Sequence, residues 1–366
     1  MRIGIDLDNT IIDYTKAFNN YISLNKIINN SVLNIHNKIL DKSILKSNII
    51  KKKNGDLIWQ KIQGQIYGKN INMANIYLGF KRFLFFSKLR NIELFIVSHK
   101  TKFGHFDKSK TPLRTSALNF LSKNGLFNYS KYGLKKNNIF FADNRDEKIN
   151  IINSLNLDFF IDDLPEVLLH KKFNKQTKKI LINNHCANKK DIFMYVTNWG
   201  EINNFFFKKN SKQEIIKILK QLNIKNPKKV EAIRGGINSK VFKIYKKKQN
   251  ICLKIYPLSQ DHRERCMNEF NAFHYLNKNK IFKTPKSLAV DNDLKIATYS
   301  WIDGEKTKSL NKKNIKYLLS FIKDLKNLSL KTKITKFNLA SEASVNLNRI
   351  YEYNKNKILK LKKNNL

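Results

Sequence analysis

The sequence predicts an α/β unit built on a parallel sheet, followed by a smaller α+β unit. Three observations carry this. Short apolar strands alternate with helical stretches through roughly the first 200 residues, the pattern of a parallel sheet covered on both faces. After Lys229 the strands become short and closely spaced, as in antiparallel pairing. A length of 366 residues suits two domains of ordinary size.

The elements follow in order. Arg2–Asp6 (RIGID) reads as a buried strand ending in an acid, and Ile92–Val97 as a second, ended by Ser98. Asn138–Ala142, Asp158–Ile161 and Lys179–Ile182 complete five strands, with Asp162 and Asp163 closing the fourth. Leu113–Lys123 and Arg145–Leu155 have helical apolar spacing. Residues 30–77 interrupt the alternation and contain WQKIQGQIYG, which predicts a mostly helical inserted cap. The first domain is thus placed at 1–205, a lysine-rich helical linker at 206–228 and the second domain at 229–366. In the latter, strands at Lys229–Ile233, Lys240–Lys246 and Ile251–Tyr256 precede a helix at His262–Asn277, strands at Ser287–Val290 and Leu294–Tyr299, and a helical tail from Asn311.

Composition narrows the function classes. Hydrophobic residues make up 42%, enough for real cores. No apolar run reaches 18 residues, and the start MRIGIDLDNT lacks the form of an export signal. Three scattered cysteines (Cys186, Cys252, Cys266) fit a reducing compartment, so the cytoplasm is the expected location. The charge of +43 invites a nucleic-acid reading, but only nine of the 71 basic residues are arginine, the side chain best suited to bidentate phosphate and base contacts. Lysine, asparagine and isoleucine are raised along the whole chain. Compositional drift is favoured, and nucleic acid and membrane are not the expected partners.

Against that background clustered acids stand out. Ligands of open parallel sheets bind at the carboxyl ends of the strands, where the sequence puts Asp6, Asp8, Asp162 and Asp163. Four carboxylates at one rim repel unless a cation neutralises them, and oxygen-rich sites suit Mg²⁺. Ser98 and Lys148 are in position to serve a phosphoryl group.

The runs IDLDNT, IVSHKT, RDEKI and FIDDLPEVL, in that order, resemble the four motifs of the haloacid dehalogenase (HAD) superfamily over about Met1–Gly200. The resemblance implies Asp6 as nucleophile, Asp8 as acid and base, Ser98 and Lys148 as phosphoryl-binding groups, and Mg²⁺ held by Asp6, the Asp8 carbonyl and either Asp162 or Asp163. It implies a phosphatase acting on a small phosphorylated metabolite. His99 and His105 flank the second motif and could touch substrate, and Lys100 and Lys102 could bind a second anionic group, but polar surface and background lysine are the favoured readings. Trp59, Gln63 and Tyr67 recur every four residues in the cap and are read as core before substrate contacts.

A second set of phrases is RGGINSKVFKIY, CLKIY, the helix carrying Glu269, YSWIDGEK and NLASEAS. It resembles the N-lobe of aminoglycoside phosphotransferases and choline kinases. The resemblance implies ATP bound near Gly235 and Gly236, with Lys254 on its phosphates, Glu269 fixing Lys254 and Tyr299–Ile302 bordering the adenine. No histidine follows His274, and the only aspartate after Asp303 is Asp324, so the catalytic-loop residues of such kinases are missing from the sequence. The expectation is a kinase-like N-lobe with an incomplete helical C-lobe, cut short of its catalytic loop. Two further readings stand beside the phosphatase: a small-molecule phosphotransferase in the C-terminal half, and a basic nucleic-acid binder.

Overall fold

A computed structural model describes residues 1–28, 39–106, 109–182, 194–233, 239–258, 264–304 and 311–331, with residues 350, 351, 354, 355 and 358. Its strands are β1 (Arg2–Ile5), β2 (Ile12–Asp13), β3 (Asn75–Ile76), β4 (Glu93–His99), β5 (Ile139–Ala142), β6 (Phe159–Asp162), β7 (Lys178–Ile182), β8 (Met194–Val196), β9 (Lys229–Ile233), β10 (Lys240–Tyr245), β11 (Ile251–Ile255), β12 (Ser287–Asp291) and β13 (Ile296–Ser300).

The first sheet has the order β5-β4-β1-β6-β7-β8, and every pair in it is parallel. β1 is flanked by β4 on one side and β6 on the other, so the order reverses beside it and a crevice opens at the carboxyl ends. The interior is dominated by Ile3, Ile5, Ile96, Val97, Phe160 and Ile161, all nearly free of solvent. Such unbroken apolar strands are what a sheet covered on both faces requires. Gly4 is needed here, since a Cβ would lie 2.4 Å from Leu157 and 2.6 Å from the Phe160 ring. β8 was not legible in the sequence; it adds a sixth strand at the edge.

Two helices, Lys42–Ile50 and Gly55–Tyr67, form the described part of the cap. Asp41 caps the first by accepting from the Ser43 backbone N–H at 2.8 Å. Trp59 of the second stacks on Phe18 at 5.0 Å between centroids, and with 4% exposure it belongs to the core.

The second sheet is antiparallel, in the order β12-β13-β11-β10-β9. The Arg265–Lys278 helix covers one face through Phe270 and Phe273, which pack on Tyr299. Along the helix Lys312–Lys331, Leu318, Leu319 and Ile322 are about half exposed.

The stretch read as a linker is docked. Ser211 and Glu214 form a reciprocal capping box at the start of the Lys212–Gln221 helix. Ile215, Ile218 and Leu219 are buried, and Glu214 pairs with Arg90 of the first unit at 2.6 Å. The two units also meet directly. Arg82, on the Phe80–Leu89 helix, is 6% exposed and donates to the backbone carbonyls of Leu294, Tyr256 and Lys295 in the second unit at 2.6, 2.8 and 3.1 Å. Burial pulls the Arg82 guanidinium down to about 9, so it remains charged at neutral pH. Lys131 adds an ion pair to Asp291 at 2.7 Å.

Candidate active site

Strand adjacency assembles the site. Ile5 of β1 lies opposite Ile161 of β6, and the Asp6 N–H donates to the Ile161 carbonyl at 2.9 Å. Asp6 and Asp162 therefore leave neighbouring strands side by side. One carboxylate oxygen each of Asp6, Asp162 and Asp163 lies within 4.8 Å of the others. Lys148 enters from the Arg145–Ser154 helix and donates to Asp6 at 2.6 Å and to Asp162 at 2.7 Å. Asn144 caps that helix on the Glu147 N–H, which fixes the turn that aims Lys148.

The electrostatics follow from burial. Lys148 is 2% exposed and Asp162 fully buried. Loss of solvent pushes the Asp6 carboxyl up to about 7; Lys148 opposes the rise, while Asp162 and Asp8 add to it. Asp163 is likewise raised well above the usual carboxylate range, by burial first and then by Asp6 and Asp162. Burial works against the Lys148 charge, but Asp162 and Asp6 outweigh it and raise its pKa. With all three carboxylates ionised, the one ammonium would leave two negative charges uncompensated, which is why burial here favours the protonated forms.

That set fits a hard divalent cation: the donors are all oxygen, they converge, and the surplus charge matches. The second aspartate of the pair is closer to solvent than Asp162 and lies 3.5 Å from the Thr10 hydroxyl. Asp162 spends its second oxygen on the Leu164 N–H at 2.9 Å. Ser98, near the end of β4 beside β1, is 1% exposed, and among the described residues its hydroxyl has no hydrogen-bond partner. A buried hydroxyl without a partner is costly, and one at this rim is free to donate to a phosphoryl oxygen.

Asp8 sits on the cap side. It accepts from Lys100 at 2.7 and 3.0 Å and from the Tyr14 hydroxyl at 2.8 Å. Lys100, read in the sequence as background, is 3% exposed and built into the site: its N–H donates to Ala142 and its carbonyl accepts from Arg114. Its ammonium also lies 4.8 Å from the Tyr67 ring centre. Tyr67 in turn accepts from Lys42 at 2.7 Å. Burial disfavours the Lys42 charge, but Tyr67 and the field of Asp8 and Asp163 more than offset it and raise its pKa. Lys42 and Tyr14 were missed in the sequence. The position of Lys100 two residues after Ser98 was the available signal; Lys42 had none, since 62 lysines hide one. His99 lies at the rim, bonded to the Asp143 carbonyl at 3.1 Å, and exposed.

In the second unit, Lys254 of β11 pairs with Glu269 at 2.6 Å, both partly exposed, and rests 4.8 Å from the Tyr256 ring centre. The Tyr256 and Tyr299 hydroxyls bond at 2.7 Å. Gly235, Gly236, Cys186 and the NLASEAS phrase lie outside the described residues.

No protein-family model matches the sequence, and no curated protein does. Among solved structures, the chain is similar to a HAD-superfamily hydrolase from Ehrlichia chaffeensis, at 13% identity over 57% of this chain and 96% of that one, with a TM-score of 0.31. It is similar to a hydrolase from Pseudomonas syringae, at 12% identity over 58% of this chain and 100% of that one, with a TM-score of 0.33. It is also similar to a choline kinase from Cryptosporidium parvum, at 21% identity over 43% of this chain, with a TM-score of 0.30. The chain spans less than half, 45%, of that kinase. With scores this low, the functional reading below rests on the site geometry.

Proposed function

We propose that the first unit is a Mg²⁺-dependent phosphomonoesterase acting on a small phosphorylated metabolite through an aspartyl-phosphate. The observation that carries this is the convergence of Asp6, Asp162 and Asp163 within 4.8 Å, with Lys148 between Asp6 and Asp162. The Asp6 carboxylate attacks phosphorus as the bond to the leaving oxygen breaks, and Asp8 supplies the proton that oxygen needs. Asp8 then takes a proton from water, which attacks phosphorus, releases inorganic phosphate and restores Asp6. Dividing one difficult displacement into two is the gain of a covalent route. Lys148 and Ser98 hold phosphoryl oxygens and spread their charge. Asp6, Asp162 or Asp163 and the Asp8 carbonyl would hold a divalent cation, which would neutralise charge between carboxylate and phosphate dianion. The test is hydrolysis of p-nitrophenyl phosphate with and without Mg²⁺. Turnover should require the ion and vanish in Asp6→Asn; turnover unchanged in that variant overturns the reading.

A second activity is supported by the Lys254–Glu269 pair, the arrangement with which kinase small lobes position nucleotide phosphates. The second unit binds ATP in this reading. Calorimetry should show ATP binding that Lys254→Ala weakens at least tenfold; equal affinity in the variant contradicts it.

A further inference from the structure

The candidate site is polarised. Around Asp6 there is a surplus of carboxylate, but on the cap side the balance reverses. Lys42 and Lys100 both address Tyr67, and the single carboxylate bonded there, Asp8, is bound by Lys100. Lys42 is partly buried, over the faces of Phe18 and Tyr67 at 5.2 and 5.4 Å. Among the described residues no carboxylate lies within ion-pair distance of it, and its only hydrogen bond there is to the Tyr67 hydroxyl. An ammonium has three N–H donors, so donors remain to be spent. Those donors leave room for a further acceptor beside Tyr67, whose ring also meets the ammonium of Lys100, the partner of Asp8.

We propose that the substrate carries a second anionic group, carboxylate or phosphate, which Lys42 receives with Lys100 at the Tyr67 ring while the scissile phosphoryl group meets Asp6. This rests on the phosphatase reading and adds the substrate class to it. Lys42 is a specificity residue: it touches the far end of the substrate. Tyr67 is its support, holding the ammonium by the hydroxyl and the ring face.

The experiment compares glycerol 3-phosphate, 3-phosphoglycerate and propane-1,3-diol bisphosphate on the full chain with Mg²⁺, by turnover and by calorimetric binding. At least one of the two-anion compounds should exceed glycerol 3-phosphate by about tenfold or more in kcat/KM, the worth of one charge-assisted hydrogen bond. Whichever leads assigns the subsite to carboxylate or to phosphate. In Lys42→Met, which keeps an apolar stem on Phe18 and Tyr67, that ratio should fall towards one, and Lys42→Arg should largely restore it. A wild-type ratio near one, or a ratio that survives Lys42→Met, overturns the proposal. If none of the three compounds nor p-nitrophenyl phosphate is hydrolysed, the phosphatase reading fails, and the binding ratio still decides on the anion subsite. Should Lys42→Met not fold, the wild-type ratio and its decline with added salt decide alone.

Discussion

Lys100 holds Asp8 by both carboxylate oxygens, at 2.7 and 3.0 Å, and is itself 3% exposed. The pair joins the strand end that carries Ser98 to the loop that carries the proposed acid and base, so the two motifs are locked to each other from within the fold. Breaking such a pair leaves a partly buried carboxylate whose remaining donor among the described residues is Tyr14.

Lys100→Met should therefore lower unfolding free energy by about 3 kcal/mol, the usual cost of removing one partner of a buried pair. Urea denaturation checks this. A loss within the few tenths expected of a surface lysine would show that the pair is solvated.

Arg82 bridges the two units through three carbonyls. In Arg82→Met the Leu294 and Tyr256 carbonyls lose this donor, while the Lys295 carbonyl keeps the Tyr256 N–H at 2.9 Å, so the cost is about 1–3 kcal/mol for each of the groups left unsatisfied. The wild type should unfold in one transition, and the variant at lower urea and in two, read by circular dichroism. A single transition at the wild-type midpoint would show that the units are held by other contacts.

Glu214 gives a pH dependence. Burial raises its pKa, but hydrogen bonds from Arg90 and Ser211 more than offset this, and the net shift is downward. A carboxylate whose folded pKa lies below its unfolded one stabilises the protein above the ordinary glutamate range, and the contribution is lost as pH falls through the folded value. Glu214→Gln should thus lower the melting temperature at pH 7, with the difference from wild type closing in acid below about pH 4. A difference independent of pH would point to packing instead of charge.

Much of this architecture was legible in the sequence because the strands of the first unit are unbroken apolar runs. Each ends on a residue that cannot continue the core, as Ile5 gives way to Asp6 and Ile161 to Asp162. The five strands read there agree with the structure to within two residues at either end. β8 was not visible because Met194–Val196 is three residues long, too short for any periodicity. Docking of the Lys212–Gln221 helix was hidden for another reason: its amphipathic pattern predicts a buried face but not the surface that covers it. At the site, residues that follow strand ends could be placed by position alone. Lys42 could not, because its role comes from burial beside Tyr67 and a lysine-rich sequence offers no contrast by which to notice it; Lys100 had only its place two residues after Ser98. The interface arginine was likewise silent, since its partners are backbone carbonyls 174 to 213 positions away.

The most direct test of the central claim is chemical trapping of the Asp6 acyl phosphate. Enzyme mixed with Mg²⁺ and p-nitrophenyl phosphate is quenched during turnover and treated with borohydride, which reduces an acyl phosphate to an alcohol, and the peptide spanning residues 1–16 is sequenced by mass spectrometry. The account predicts reduction at Asp6 alone, dependent on both ion and substrate; brisk hydrolysis with Asp6 unmodified would contradict it.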